Sequence, residues 1–286
     1  MSTFADYSAA AAVYDTTRKA EAFEIWLGAL MRHAPVPLNQ VRLLDAGCGT
    51  GNYSAALAPH VGRLNGIDFN PDMLAQAAAK LQNEIAHDRA KLEQGSLMAL
   101  PFEDKTFDAV MINQVLHHLE DGKDPARNGH RAAVNECARV LKPGGILLVN
   151  ACSHRQLKDG FWYNHLIPQG LAACCNRIAP TDMFRQMLAE ADLQVEARMV
   201  PADSVMQSSS YFELAGVLDP SWRAGDSIWA MAPDEEVAAA CATVKMVIEG
   251  GNASEWLAGH DMQRPHVGQL TFWIAKKTDA SSLGIQ

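Results

Sequence analysis

An apolar run of six residues passes directly into three closely spaced glycines early in this chain. Residues 41–46 have the length and composition of a buried β-strand, and Gly47, Gly49 and Gly51 follow them. Glycine lets a chain turn tightly out of a strand and lets its backbone approach a ligand closely. The pattern therefore predicts a strand, a ligand-binding loop and a helix, as in nucleotide-binding α/β folds.

Strands and helices alternate around this loop. Helical spacing of apolar residues predicts a helix over 7–33. Between the loop and residue 152 we expect strands at 64–67, 92–94, 107–113 and 146–151, helices at 53–60, 71–84 and 131–141, and a turn at 142–145. This alternation is typical of βαβ units that build a mostly parallel sheet.

The chain becomes less regular after residue 151. We expect Thr181 to cap a helix that runs to 191, followed by a strand at 194–200, a helix at 234–249 and a last strand, suited to an antiparallel direction, at 267–275. The roughly 66 residues of 201–266 exceed what a hairpin needs and predict a lid, of which residues 201–232 are expected to be loop-rich. The predicted organisation is a helical cover (1–38), a Rossmann-like core (39–151), the second half of the sheet with its lid (152–277) and a flexible tail (278–286).

Composition excludes several classes of protein. The 286 residues are 48% hydrophobic, which rules out global disorder, and the net charge of −9 without a basic run argues against binding of nucleic acid or anionic membranes. Because no apolar stretch reaches about 18 residues and no signal peptide is recognisable, we expect no membrane insertion. The six cysteines form no C-x-x-C pair, so we expect reduced thiols, a cytoplasmic location and no metal site.

Two acidic residues distinguish this glycine loop from that of a dinucleotide-binding dehydrogenase. Asp45 precedes Gly47 by two residues, where a carboxylate repels a pyrophosphate and suits a cationic ligand. Asp68 follows the second predicted strand, 17 residues after Gly51, and an acid there can accept hydrogen bonds from both ribose hydroxyls. The two acids favour a nucleoside ligand that carries positive charge.

Five motifs in this order resemble those of the class I S-adenosylmethionine (SAM)-dependent methyltransferases, in the ubiquinone/menaquinone-type and small-molecule group. They are 45–51 (DAGCGTG), 66–73 (GIDFNPDM), 100–108 (LPFEDKTFD), 115–119 (VLHHL) and 139–145 (RVLKPGG). The resemblance implies an α/β fold with a Rossmann-like, seven-stranded, mostly parallel sheet, helices on both faces, an N-terminal helical cover and a C-terminal lid insertion. It also implies methyl transfer to a small-molecule acceptor, with S-adenosylhomocysteine (SAH) as the product.

The resemblance assigns the methionine end of the cofactor to the first motif and to a segment upstream of it. Asp45, Gly47 and Gly49 would hold this end, and Cys48 belongs to the same loop. The run 14–18 resembles an entry helix in which Tyr14 and Arg18 close over the methionine carboxylate. Alternatively, the charge of Arg18 is simply solvated on a helix surface.

Further motif residues are assigned to the adenosine and to the methyl group by the same resemblance. Asp68 would bind the ribose, and Phe69 and Met73 would pack near the adenine. Ser96 and Leu97 occupy positions that read the adenine amine and ring, although Ser96 replaces the usual acid. Two residues at the end of the fourth predicted strand would lie beside the transferable methyl, namely Asn113 and Gln114.

Methyl transfer is an in-line displacement in which the protein mainly positions the reactants. Many acceptors must also lose a proton, so a base near the methyl group is useful. His117 and His118 follow the fourth strand and suit that role by position and intrinsic pKa. The alternative is that this pair forms a structural turn over the cofactor.

Cysteines and aromatic residues fall in the segments expected to surround the acceptor. Soft thiolates would suit a thiol or a trivalent arsenic acceptor, but buried cysteine also behaves as a small hydrophobe. The cysteines outside the motifs are Cys152, Cys174, Cys175 and Cys241. The aromatic residues, which would line a lid pocket or fill the core of the lid, are Phe161, Trp162, Tyr163, Tyr211, Phe212, Trp222 and Trp229.

Two functions from other classes stay open at this point. One is a nicotinamide-dependent oxidoreductase, because glycine loops of this kind also bind dinucleotides. The other is a non-catalytic regulator that binds SAM. The acidic charge makes an RNA acceptor the weaker choice, and both a monomer and a homodimer are compatible with the sequence.

Overall fold

One mixed sheet organises the protein, for which a computed structural model describes residue 15, residues 19–120 and residues 122–278. Its strands within this part are β1 (Arg42–Ala46), β2 (Arg63–Asp68), β3 (Ala90–Gln94), β4 (Phe107–Asn113), β5 (Leu141–Ala151), β6 (Leu193–Met199) and β7 (Thr271–Lys277). The order across the sheet is β3-β2-β1-β4-β5-β7-β6. Strands β1 to β5 pair in parallel, whereas β7 is antiparallel to β5 and β6. The Rossmann-like fold and the antiparallel last strand are thus confirmed.

Helices cover both faces of this sheet. In the first two thirds of the chain they are α1 (Phe23–His33), α2 (Asn52–Leu57), α3 (Pro71–Lys80), α4 (Gln82–Ala86), α5 (Asn128–Val140), α6 (His154–Asp159), α7 (Pro168–Cys175) and α8 (Thr181–Glu190). Side chains alternate across a strand, so Leu43 joins the core that contains α1 and α2, and Leu44 joins the core that contains α5 and α8. Both faces of β1 and β4 are buried, and most residues of these strands are accordingly apolar.

The 201–266 insertion is largely helical, including residues 201–232, where the sequence predicts loops. It contains α9 (Pro220–Ala224), α10 (Ser227–Met231), α11 (Asp234–Glu249), α12 (Ala253–His260), α13 (Arg264–Val267) and two 3₁₀ turns, Ser208–Phe212 and Leu214–Leu218. Further 3₁₀ turns precede it at Leu38–Gln40, Leu116–His118 and Trp162–Leu166. The helix expected over 234–249 is confirmed as α11. Local sequence did not reveal the shorter helices because tertiary packing, rather than propensity, stabilises segments of their length.

The aromatic residues of this region form the core of the insertion, and the alternative of an aromatic pocket is wrong. Trp162, Tyr163 and Tyr211 are fully buried and pack edge to face. The Tyr163 hydroxyl donates to Asp226 Oδ2 at 2.8 Å, so this carboxylate serves the core rather than a pocket. Phe212 differs from the others because 47% of its surface is exposed.

Several predicted boundaries need correction. The helix expected over 71–84 divides at Leu81, a buried residue whose backbone leaves the helical region. The turn expected at 142–145 is part of β5, where a register shift against β4 accommodates it. Pro180, in an extended conformation, precedes α8, so Thr181 is its first helical residue and not its cap. The single helix expected over 7–33 is interrupted, because residues 19–22 are not helical and α1 begins at Phe23.

The last strand also starts later than predicted. Residues 264–267 form α13, and β7 begins at Thr271. Gly268, with a φ of 64°, separates the two elements. Within the described part of the chain, no helix combines the length and the apolar character that crossing a membrane requires.

Candidate functional site

A cavity of about 450 Å³ opens at the carboxyl ends of β1 to β5. This is where parallel α/β sheets bind ligands, at the point where the strand order reverses between β1 and β4. The predicted residues that the fold brings together in its wall are Gly47, Cys48, Gly49, Asp68, Phe69, Met73, Ser96, Leu97, Asn113, Gln114 and His118. Two distant motifs and the loop after β1 therefore converge on one site.

The glycine loop turns directly beneath β2. The amides of Gly47 and Cys48 both donate to the carbonyl oxygen of Ile67, at 2.8 and 2.9 Å. Gly49 adopts a φ of 52°, and a Cβ built there meets nothing within 4 Å. The open side of the loop at Gly49 thus leaves room for a ligand to lie against bare backbone.

Asp68 is held in place by two backbone amides. Its Oδ2 accepts from Gly49 N at 2.8 Å, and its Oδ1 accepts from Asn70 N at 2.9 Å. Burial raises the pKa of this carboxyl, although the amide bonds act in the opposite direction. The carboxylate is therefore oriented in the cavity wall before any ligand arrives, where it can still accept from a pair of hydroxyls.

Asp45 lies behind the loop and does not line the cavity. It is 2% exposed, and its Oδ2 accepts from Ser54 Oγ at 2.5 Å. Burial, with a smaller contribution from the charge of Asp68, raises the pKa of Asp45 to about 7. The fold brings this carboxyl near the ligand site while directing it at Ser54, so the contact with methionine remains a prediction.

The raised pKa of Asp45 makes stability depend on pH. The carboxyl titrates at 3.8 in its ordinary state and at about 7 in the folded protein, so the folded protein binds the additional proton between these values. Its stabilising contribution is complete below 3.8 and is lost as the pH rises through 7. The side chain of Asp45→Asn stays neutral at every pH. We therefore expect the Tm of this variant to fall less than that of the parent between about pH 5 and about pH 8.

Thermal unfolding across this pH range tests the prediction. Asp72→Asn is the matched control, because Asp72 is an exposed carboxylate on the first turn of α3 and should retain the slope of the parent. Burial also raises the pKa of Asp68, so the Tm of the Asp45 variant should still fall somewhat with increasing pH. Parallel Tm curves for the parent and Asp45→Asn would contradict the assignment.

Side-chain amides cluster where β4 and β5 end together. Asn113 pairs with Asn150 in the sheet register, and Asn150 Nδ2 donates to Asn113 Oδ1 at 2.9 Å. Gln114 has a φ of 55°, unusual for a residue other than glycine, and its backbone amide donates to the Asn150 carbonyl at 2.9 Å. Cys152 Sγ lies 3.6 Å from Gln114 Oε1. Asn150, which sequence reasoning missed, could have been found as the polar residue at the end of the fifth apolar strand.

The two predicted histidines face different spaces. His118 lines the main cavity, whereas His117 lines a smaller one and its Nε2 lies 3.1 Å from Ser227 Oγ. Their rings are 4.0 Å apart. Burial, together with the neighbouring His117 and Arg177, lowers the pKa of His118 well below its ordinary value. His118 is therefore neutral near pH 7 and can accept a proton.

The N-terminal segment is attached to the glycine loop through Asp15. Asp15 Oδ1 accepts from Thr50 Oγ1 at 2.7 Å and from Asn52 Nδ2 at 2.8 Å, and Lys80 Nζ lies 2.5 Å from its carboxylate. The predicted cofactor residues Tyr14 and Arg18 lie outside the described residues. Lys19 and Glu21, the described residues that follow, line the cavity.

Part of the remaining cavity wall comes from residues outside the recognised motifs. Tyr53 donates its hydroxyl to the carbonyl of Glu21 at 2.9 Å. Met206 from the insertion and Leu270 before β7 contribute apolar surface. Both residues are far in sequence from the glycine loop, so no local sequence pattern predicts that they line the cavity.

Three of the cysteines outside the motifs, Cys152, Cys174 and Cys175, lie near one another, whereas Cys241 lies in the insertion. Cys174 is buried, which raises the pKa of its thiol, and Cys175 is half-buried. Cys241 donates to the Val217 carbonyl at 3.6 Å in the insertion. Among the residues that the structure describes, no three His, Cys, Asp or Glu side chains come together as metal ligands. None of these cysteines lines the main cavity.

Sequence comparison relates the core to known proteins. The family described as Methyltransferase domain matches residues 44–149. A demethylmenaquinone methyltransferase of Lactiplantibacillus plantarum is 38% identical over 113 residues, which cover 38% of this chain and 44% of that protein. The enzyme of the same name from Bacillus pumilus is 28% identical over 194 residues, which cover 63% of this chain and 72% of that protein.

The similarity of fold extends beyond the matched sequence. A solved structure from Anabaena variabilis, assigned as a methyltransferase of an antibiotic biosynthesis pathway, has a TM-score of 0.70 at 19% identity and covers 91% of this chain and 99% of that one. At this identity the likeness shows the fold alone. The chain spans less than half of the first relative and about three quarters of the second. The core of the chain, residues 44–149, thus matches the Methyltransferase domain family, and the fold is shared with the Anabaena variabilis structure.

Proposed function

We propose that this protein transfers a methyl group from SAM to a small-molecule acceptor. The observation that carries the proposal is the carboxylate of Asp68, which two amides hold in a cavity wall beside the open side of Gly49. A nucleoside ribose can donate two hydroxyl bonds to this group. When bound, SAM supplies an electrophilic methyl group on a sulfonium centre.

The residues of the chain would act chiefly by positioning the two reactants. Asp68 would bind the ribose, while Phe69, Met73, Ser96 and Leu97 would surround the adenine. The bare backbone of the glycine loop would contact the methionine part, with Asp45 adding negative charge from behind. Asn113 and Gln114, held by Asn150, would border the reacting methyl group.

The rest of the cavity indicates the character of the acceptor. Its wall combines the apolar side chains of Leu119, Met206 and Leu270 with the polar groups of Tyr53 and His118. An acceptor with an apolar body and one polar reacting group suits this lining. The named relatives are demethylmenaquinone methyltransferases, so a quinol belongs in the first set of compounds to be tested.

The positions of the cysteines outside the motifs do not support a thiol or an arsenical as the acceptor. Cys152 lies behind Gln114 in the smaller cavity, and Cys174 and Cys241 are engaged in packing. Cys48 lines the cavity, but burial and the charges of Asp45 and Asp68 raise the pKa of its thiol well above the ordinary value. It is therefore a poor thiolate near neutral pH.

Release of SAH should occur with an acceptor outside the thiol group. The assay supplies SAM with one of four acceptor groups: thiols with trivalent arsenicals, amines, phenols with quinols, and carboxylates. We also expect SAH, but not NAD, to raise the Tm by binding the folded state. Stabilisation by NAD alone would favour an oxidoreductase, and stabilisation by SAH without turnover in any group would favour a regulator. Turnover confined to thiols and arsenicals would restore a role for the cysteines.

A further inference from the structure

A second cavity lies behind the methyl end of the main one. Its volume is about 40 Å³, which is enough for a water molecule, and Gln114 belongs to the walls of both cavities. Groups that can donate or accept protons line it, including His117, His130 and Cys152. Such a cavity beside a methyl-transfer site can serve proton movement.

His130 projects into this second cavity from a buried pair with Glu120. Its side chain is 1% exposed, and Nδ1 lies 3.0 Å from Glu120 Oε1, which also accepts from the His130 backbone amide at 3.0 Å. A carboxylate at Nδ1 fixes the proton on that nitrogen and leaves the lone pair on Nε2. The buried Nε2 has no hydrogen-bond partner among the described residues. A buried imidazole nitrogen that lacks such a partner indicates a site for a water molecule or a proton.

The three histidines connect the two cavities in sequence. His118 faces the main cavity, the His117 ring is 4.0 Å from it, and both His117 and His130 line the second cavity. We propose that His118, His117 and His130 relay the proton that methyl transfer releases from the acceptor, with Glu120 orienting the last imidazole. The proposal rests on the function proposed above and adds positioning residues that act through His118.

The relay accounts for the proton that the acceptor loses during methyl transfer. The acceptor nucleophile forms a bond to the methyl carbon, and the carbon–sulfur bond breaks with its electron pair remaining on the sulfur of SAH. The proton lost by the acceptor passes to His118, then to His117, and through water in the second cavity to Nε2 of His130. The imidazolium formed there pairs with the Glu120 carboxylate.

Charged groups around the three histidines favour movement of the proton from His118 towards His130. Glu120 stabilises a proton on His130, and Arg127 opposes it. His118 faces Arg177 and His117, and the charge of each opposes a proton on it. Burial lowers the pKa of both His118 and His130, which leaves both neutral near pH 7. The other ionisable groups in the wall of the second cavity are Cys152 and Arg198.

The pH dependence of kcat separates a relay from a structural role. We expect His130→Gln and Glu120→Gln to keep their affinity for SAH and to lose kcat by about tenfold near neutral pH, with kcat rising as the pH increases. Glu120→Gln retains an oxygen acceptor for Nδ1–H, so it tests orientation with little loss of fold. His165→Gln is the control, because His165 is exposed and lines neither cavity.

A second measurement does not require turnover. ¹⁵N NMR of the histidine-labelled full chain should show His130 neutral with its proton on Nδ1, and Glu120→Gln should alter this signal. A proton on Nε2, or pH profiles of kcat that parallel the parent in both variants, would reject the relay. Absence of turnover in the parent, with the Nδ1–H signal present, would reject the proposed function and, with it, the relay's task.

Discussion

Replacement of Asp68 by alanine is expected to lower the affinity for SAH about one-hundredfold. The carboxylate is half-buried and oriented by Gly49 N and Asn70 N, so it meets a ribose without rearrangement. Hydrogen bonds that involve a charged group contribute about 1.5–3 kcal/mol each, and every 1.4 kcal/mol corresponds to about tenfold in affinity. Isothermal titration calorimetry with SAH measures the loss directly.

Two further variants identify the source of this effect. Asp72→Ala removes an exposed carboxylate four residues away and should bind SAH like the parent. Asp68→Asn keeps an oxygen that can accept from one of the two backbone amides, so it should disturb the loop less than alanine does and still bind SAH more weakly. Parent-like affinity in Asp68→Ala would show that Asp68 does not bind the ribose.

The first half of the sheet could be predicted because its strands are buried on both faces. Strand β4 (Phe107–Asn113) has the predicted bounds, since a short run made mostly of apolar residues is typical of a strand that is buried on both faces. The loops that follow β1 and β2 bring Gly49 and Asp68 together for the same reason. The ends of neighbouring parallel strands meet at one edge of the sheet, so motif order alone places these residues in one site.

The remaining parts of the site depend on contacts between distant residues. Asn150 reaches Asn113 through the register of β4 and β5, and Met206 enters the cavity from a long insertion. The His130–Glu120 pair joins a helix to the turn before it, and a histidine at that helical position is indistinguishable in sequence from a solvated one. Packing, rather than local pattern, decides which polar side chains are buried.

Substitutions in the glycine loop should separate folding from binding. In Gly51→Ala, the new Cβ would lie 2.8 Å from the Ala77 Cβ and 2.9 Å from its Cα, at a φ of 77°. Left-handed strain and overpacking against the α3 backbone together cost about 3 kcal/mol, which lowers the Tm by about 6–12 °C. Thermal unfolding measures this loss.

Gly49→Ala is the matched variant within the same loop. Its Cβ would meet no atom within 4 Å, so only the strain at a φ of 52° remains, and the Tm should fall by about 2–4 °C. The added methyl group occupies the open side of the loop, where we place the cofactor, so SAH affinity should fall about tenfold because the backbone can no longer approach closely. Parent-like affinity in Gly49→Ala would mean that the cofactor lies elsewhere, and a parent-like Tm in Gly51→Ala would mean that α2 and α3 can separate without loss of stability.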